Sequence, residues 1–244
     1  MSAFVFARTS SVNVNVRKIQ TDIHNFYADD ASKYDTEHKL KIRRIYDMIP
    51  SSLENKKKRI VIKEIENKPY TKFSQYQDEF DYLIHSGIAL EVNAISAPIF
   101  PLKESATKNL LKLYLNDTGL LTNLLYKHNI NAVMKDERSI NLGTVYEGVV
   151  ASELKAHGFD LYYYDNRAKG EVDYLIDDFE TLSVLPIEVK SGKDYTKHAA
   201  LNKFISNEDY NVKKAYVLSN EREVKIVDKI IYLPIYYVMF IKSL

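Results

Sequence analysis

The chain has 244 residues, which is long enough for one large domain or two small ones. Its 34 basic and 33 acidic residues nearly balance, and 45% of its residues are hydrophobic, as is typical of a soluble globular protein. The absence of cysteine excludes disulfides and zinc sites with cysteine ligands.

Helical periodicity dominates the first half of the chain. Apolar residues recur every three or four positions in three segments, which predict helices at 16–27, 40–49 and 73–84. Pro50 is expected to stop the second helix, and Gly87 the third. Short β-prone runs predict strands at 60–62, 88–92 and 110–115, and a turn at 116–119 follows the last of them. Several helices followed by short strands are compatible with a winged-helix arrangement.

A basic run, Lys56 to Arg59, lies just before the first of these strands. Residues 1–140 carry 21 basic and 17 acidic residues, a net charge of +4, whereas residues 141–244 carry 13 and 16, a net charge of −3. Neither half is basic enough to bind nucleic acid tightly by itself. We therefore expect any DNA binding to be weak and to come mainly from the first half, although such a run is also typical of a solvated loop.

The second half predicts an α/β domain. A polar segment at 127–141 without clear periodicity separates the two halves, so the predicted domains are 1–130 and 131–244. An amphipathic helix is predicted at 142–157, ended by Gly158. A second helix is predicted at 197–206, and strands are predicted at 161–164, 172–176, 184–189 and 214–219. The overall expectation is α/β, or α+β, with a mostly helical first half.

Neither end of the chain predicts a membrane segment. The start, Met1 to Arg8, lacks a basic segment followed by a long apolar core, so no signal peptide is predicted. The apolar run at 230–241 is interrupted by Pro234 and is too short to span a bilayer. We therefore expect a cytoplasmic protein with no membrane partner.

Two adjacent predicted strands carry ionisable residues in a strand-like phase. Glu188 and Lys190 alternate with apolar residues and so share one strand face. Asp173 lies on the preceding strand, which can form a hairpin with the first one around an acidic loop. Two carboxylates and a lysine at this spacing suit a hard divalent cation, an activated water and an anionic substrate. An edge strand protected by charge is the alternative interpretation.

A longer set of motifs resembles a known family. The motifs are Gly143-Thr144-Val145-Tyr146-Glu147, Tyr162-Tyr163-Tyr164, Gly170-Glu171-Val172-Asp173-Tyr174 and Pro186-Ile187-Glu188-Val189-Lys190-Ser191-Gly192. They resemble the PD-(D/E)XK nuclease-like domain at the C-terminus of a large group of prokaryotic AAA+ ATPases. The region from Val16 to Leu121 is similar to the winged-helix segment that joins ATPase and nuclease in those proteins. The resemblance covers nearly the whole chain.

The resemblance implies a role for each matching position. Asp173 and Glu188 are the implied ligands of Mg²⁺ or Mn²⁺, and Glu147 is the implied helix carboxylate that completes the acidic cluster or orients a water. Lys190 is the implied motif lysine, which positions or deprotonates the attacking water. Glu171 is expected to be an accessory group, and His198 is expected to be only a structural residue of the last predicted helix.

One part of the family pattern is missing. The seven glycines, at 87, 119, 143, 148, 158, 170 and 192, include none in a Gly-x4-Gly-Lys-Ser/Thr phosphate-binding loop. The AAA+ ATPase module is thus expected as a partner or as part of a longer chain, and this chain alone is not expected to bind ATP. Two functions stay open: a metal-dependent nuclease that hydrolyses DNA, or an inactive module that binds nucleic acid or a partner.

Overall fold

The structure is a computed structural model that describes residues 10–34, 39–55, 58–127, 130–135, 142–192 and 194–242. Its α-helices are α1 Ser10–Tyr34, α2 Lys39–Glu54, α3 Ile62–Ile65, α4 Gln77–His85, α5 Thr118–Tyr126, α6 Ile130–Met134, α7 Gly143–Ala156 and α8 Ala199–Ile205. Its strands are β1 Ala89–Ile95, β2 Ala106–Leu115, β3 Tyr162–Asn166, β4 Gly170–Asp178, β5 Ser183–Lys190, β6 Ala215–Ser219, β7 Lys225–Val227 and β8 Ile230–Pro234. The predicted mixed α/β class, with helices mainly in the first half, is confirmed.

The chain forms two compact units that are not continuous in sequence. The first comprises residues 1–90 and 112–145, and the second comprises residues 91–111 and 146–244. The segment 91–111, which carries most of β1 and the start of β2, therefore belongs to the second unit. In the part of the chain that the structure describes, no helix is long and apolar enough to cross a membrane.

The first unit is built from helices packed around buried aliphatic and aromatic side chains. Helix α2 packs against α1 and α4, and α1 also packs against α5. The prediction that Pro50 ends α2 is wrong, because the helix continues to Glu54 and buries Leu53. Burial of this last turn outweighs the backbone hydrogen bond that proline removes.

Two further predictions in the first unit are wrong. The β-prone run at 60–62 is not a strand: Ile60 is buried in an irregular segment, and Ile62 begins the single-turn helix α3. Its apolar residues reflect burial and not strand pairing. The polar segment after β2, predicted as a turn, instead starts α5, because Asp117 caps that helix by accepting from the N–H groups of Gly119 and Leu120.

The second unit is organised on a mixed sheet with the strand order β2-β1-β3-β4-β5-β6-β8-β7. Strands β3, β4 and β5 are antiparallel neighbours, whereas β5, β6 and β8 run parallel. Helix α8 connects β5 to β6 and packs on β4, which is the crossover that parallel strands require. The apolar run at 230–241 divides at Pro234 into β8 and a 3₁₀-helix, Ile235–Phe240.

Helix α8 covers one face of this sheet with an apolar cluster. Val172 and Leu175 of β4, Leu201 and Phe204 of α8, and Val217 of β6 are all part of it. The cluster fixes α8 against β4 and so determines where the ends of β4 and β5 lie relative to the helix.

Candidate metal and catalytic site

The hairpin of β4 and β5 brings Asp173 next to the strand that carries Glu188 and Lys190. Tyr174 pairs with Ile187, and the antiparallel register continues to a pair between Asp178 and Ser183 at the loop end. Just beyond the first of these pairs, the Val189 N–H donates a hydrogen bond of 2.9 Å to Asp173 Oδ2. The backbone of β5 therefore holds the Asp173 carboxylate beside Glu188.

A β-bulge lies at Asp173. Tyr162 pairs with Leu175 and Tyr164 with Val172, so the single residue between the two tyrosines faces two residues of β4, Asp173 and Tyr174. The extra residue explains how Val172 and Leu175, an odd number of positions apart, both enter the apolar cluster under α8. Bulges commonly redirect a side chain beside an active site.

Glu188 is a buried carboxyl group whose pKa is strongly raised. The residue is only 5% exposed, and its Oε2 atom is buried without a hydrogen-bond partner among the described residues. Burial raises its pKa to about 8, with a further increase from the negative charges of Asp173 and Glu147 and a partial offset from Lys190. A buried carboxylate oxygen with no donor is a position where a cation or a proton is strongly favoured.

Lys190 lies on the same strand face as Glu188 and contacts it directly. Its Nζ atom donates a hydrogen bond of 2.6 Å to Glu188 Oε1, and its side chain is 27% exposed. The ammonium group is therefore partly open to solvent while its partner is buried. This geometry leaves it able to reach an incoming anion.

Glu147 approaches the site from helix α7. It is buried, and its negative charge contributes to the raised pKa of Glu188. The Tyr174 hydroxyl donates a hydrogen bond of 2.9 Å to the backbone carbonyl of Glu147. Because Tyr174 follows Asp173 in the bulge, one short segment positions both the strand carboxylate and the helix.

The remaining residues singled out in the sequence lie elsewhere. Glu171 is half-buried and lies opposite Asp165 near the end of the β3–β4 hairpin. His198, expected to be structural, precedes α8 and contacts the Tyr232 hydroxyl through Nε2 at 2.8 Å. Of the basic run, Lys56 and Lys57 lie outside the described residues.

The donor chemistry of the site fits a hard divalent cation. Asp173 and Glu188 offer carboxylate oxygens, which are the ligands that Mg²⁺ and Mn²⁺ prefer, and in the described part of the chain Glu188 Oε2 has no hydrogen-bond partner. Among the described residues no group of three or more Asp, Glu or His side chains is arranged so that it could hold a metal ion. The fit therefore rests on the two strand carboxylates and not on a closed cage of three protein ligands.

Sequence reasoning did not identify Tyr174 as a residue of this site. Its hydroxyl bond to the Glu147 carbonyl depends on the bulge and on the packing of α7. The only sequence signal was its position directly after Asp173, which in a regular strand would have pointed it to the opposite face.

Comparison with known families assigns both parts of the chain to domains of unknown function. Residues 142–238, about two fifths of the chain, match the domain of unknown function DUF4143. Domains of that family typically lie at the C-terminus of AAA-ATPase-associated proteins. Neither the curated proteins nor the solved structures gave a match. Residues 4–131, just over half of the chain, match the domain of unknown function DUF8612, and the chain therefore belongs to the DUF8612 family.

Proposed function

We propose that this chain is a metal-dependent nuclease that hydrolyses DNA phosphodiester bonds. The observation that carries the proposal is the buried, unpartnered Oε2 atom of Glu188, next to Asp173 and to the ammonium group of Lys190. A site that combines unsatisfied carboxylate oxygen with a partly exposed cation suits a divalent metal and an anionic substrate together.

Each residue has a distinct part in this proposal. Asp173 and Glu188 hold Mg²⁺ or Mn²⁺, and Glu147 supplies a third negative charge that holds or orients a water. The bound cation, when present, supplies Lewis-acid polarisation of the phosphate and an acidified water. Glu188 would have to lose its proton to hold the cation, because burial raises the pKa of this carboxyl group and only the ionised form is a good metal ligand.

Lys190 acts on the substrate and not on the metal. An ammonium group has no acceptor atom and cannot be a metal ligand. Its positive charge at the edge of the site stabilises the negative charge that builds on the phosphate, or holds the attacking water. A cation held by Glu188 would compete with the Lys190 ammonium group for this carboxylate, whose contact with Nζ is 2.6 Å, and Lys190 could then reach the phosphate.

The alternative function is an inactive module that binds nucleic acid or a partner. The lack of a three-ligand metal group among the described residues favours it, as does the direct pairing of Lys190 with Glu188. Such a module keeps the fold of a nuclease without its chemistry. In either case the DUF4143 match supports a role beside an AAA+ ATPase module. The PD-(D/E)XK-like second half and the winged-helix-like first half are part of our proposal and rest on the sequence motifs.

The decisive experiment is nicking of supercoiled plasmid DNA in the presence of Mn²⁺ or Mg²⁺. The nuclease proposal expects cleavage that EDTA stops and that Asp173→Ala abolishes. Asp165→Ala is the matched control, because Asp165 is an exposed carboxylate on the neighbouring strand β3. Binding of DNA without any metal-dependent cleavage would favour the inactive module instead.

A further inference from the structure

The tip of the β3–β4 hairpin and helix α8 form one rigid block beside the candidate site. Gly170, with φ of +97°, lies so close to α8 that a Cβ atom there would be 2.8 Å from the Cβ atom of Ala200. Tyr164 of β3 stacks edge-on against Phe204 of α8, with ring centroids 5.2 Å apart. Side chains on the hairpin tip and on α8 are therefore held in a fixed arrangement.

Three cations lie on this block without an acidic partner. Arg167 and Lys169 are in the hairpin turn, and Lys203 is on α8 with its Nζ atom 3.5 Å from the Ala168 carbonyl oxygen. Among the described residues no carboxylate lies within ion-pair distance of any of the three. Other lysines of this unit also lack such a partner within the described ranges, so the distinguishing feature is that these three cations share one rigid surface. Unpaired cations that share one rigid surface are typical of phosphate-binding sites.

Lys169 is held in place by an aromatic group and not by an acid. Its Nζ atom lies 5.0 Å from the ring centroid of Tyr210 and 3.3 Å from the Tyr210 hydroxyl oxygen, which also contacts the Tyr164 hydroxyl at 3.0 Å. These contacts orient the ammonium group without neutralising its charge.

The acidic residues of the hairpin lie on its opposite face. Asp165 pairs with Glu171 in the β3–β4 register. Asp165 follows Tyr164 and Glu171 precedes Val172, and both Tyr164 and Val172 belong to the apolar cluster under α8. Strand alternation therefore directs the two carboxylates away from the α8 side. Glu208 and Asp209, exposed just before Tyr210, mark where the cationic surface ends.

We infer that Arg167, Lys169 and Lys203 bind the phosphate backbone of DNA next to the cleavage site, so that the second half contributes to DNA binding as well as the basic first half expected from the sequence. The inference rests on the proposed nuclease function and names the surface that holds its substrate. Strand β4 leads from Gly170 to Asp173, three residues or about 10 Å along a strand. Because each strand of duplex DNA carries one phosphate per roughly 3.4 Å of helix axis, cations near the start of this strand reach phosphates a few nucleotides from the scissile bond.

The test is DNA binding as a function of salt, measured with a fluorescently labelled duplex in EDTA, which stops metal-dependent cleavage. The variant is the triple substitution Arg167→Gln, Lys169→Gln and Lys203→Gln. The control is Lys213→Gln, Lys225→Gln and Lys229→Gln, which removes three exposed lysines that also lack acidic partners among the described residues. Circular dichroism confirms that both triple variants are folded.

Each phosphate contact contributes about 0.9 to the slope of log affinity against log salt. Loss of three contacts should reduce the magnitude of this slope by about 2.7. When salt rises from 50 to 200 mM, the affinity of the unaltered chain should therefore fall about 40-fold further than that of the variant. The control should keep the original slope. Any of three results would overturn the inference. These are equal slopes for all three proteins, an equal decrease of the slope in both triple variants, or no DNA binding by the unaltered chain at 50 mM salt.

Cleavage measured in parallel separates this inference from the proposed function. If the slope falls as expected but the unaltered chain never nicks DNA with Mn²⁺, the nuclease function fails and the binding surface stands. If the chain nicks DNA and the triple variant keeps both slope and rate, the surface is refuted and the nuclease stands.

Discussion

Replacing Glu188 by glutamine should change the pH dependence of stability, because burial raises the pKa of this carboxyl group from 4.5 to about 8. A raised pKa means that the folded state keeps a proton that the unfolded state has already lost. Between pH 4.5 and 8 the folded chain therefore binds more protons, and its free energy of unfolding falls as pH rises. The stabilising contribution is fully present below pH 4.5 and is lost as pH approaches 8.

The size of the effect follows from the width of this pH window. Each pKa unit corresponds to about 1.36 kcal/mol, so the window sets an upper limit of about 5 kcal/mol. Glutamine cannot ionise and keeps the size of the side chain. Glu188→Gln should thus match the unaltered chain near pH 5 and exceed its free energy of unfolding by several kcal/mol at pH 8.

Urea unfolding at pH 5, 6, 7 and 8 measures this difference. Far-UV circular dichroism is the suitable signal, because the chain has no tryptophan. Glu180→Gln, an exposed carboxyl group in the loop of the same hairpin, is the control and should show no such change. Adding Mn²⁺ should remove most of the pH dependence of the unaltered chain, since a bound cation stabilises ionised Glu188. Parallel pH curves for Glu188→Gln and the unaltered chain would refute the argument.

Three further substitutions test the site and its support. Lys190→Ala should lower the rate of plasmid nicking by about 100-fold, which is the effect of removing one preorganised electrostatic group. The Mn²⁺ affinity, measured by calorimetry, should stay equal or rise. Nicking at the original rate would show that Lys190 has no part in the mechanism. Gly170→Ala should lower the free energy of unfolding by roughly 2 kcal/mol or more, because φ is positive there and the new Cβ atom would be too close to Ala200. In urea titrations, adding Ala200→Gly to the same chain should recover part of this loss. Additive effects of the two substitutions would show that the contact with Ala200 does not cause the destabilisation. Tyr174→Phe removes the hydrogen bond from the Tyr174 hydroxyl to the Glu147 carbonyl. It should lower the free energy of unfolding by about 1 kcal/mol and weaken Mn²⁺ binding. An unchanged Mn²⁺ affinity would mean that this hydrogen bond does not position α7.

The sequence determined the parts of this protein that depend on local pattern. Alternating and helical apolar spacing predicted α7, β4 and β5 to within a few residues, because each of these elements buries one regular face. The same alternation placed Glu188 and Lys190 on one face of β5, since the side-chain period of a strand is two. Their chemistry could be proposed from residue type and spacing alone.

Only the tertiary structure decided the features that depend on distant packing. The continuation of α2 past Pro50 follows from burial of its last turn, which outweighs a local breaking signal. The bulge at Asp173 follows from pairing with β3, and it is invisible in the alternation of β4 itself. The raised pKa of Glu188 and the contact of Lys169 with the Tyr210 ring likewise depend on which groups the fold brings near them. Local sequence sets which elements form, whereas burial and charge proximity arise only when those elements pack together.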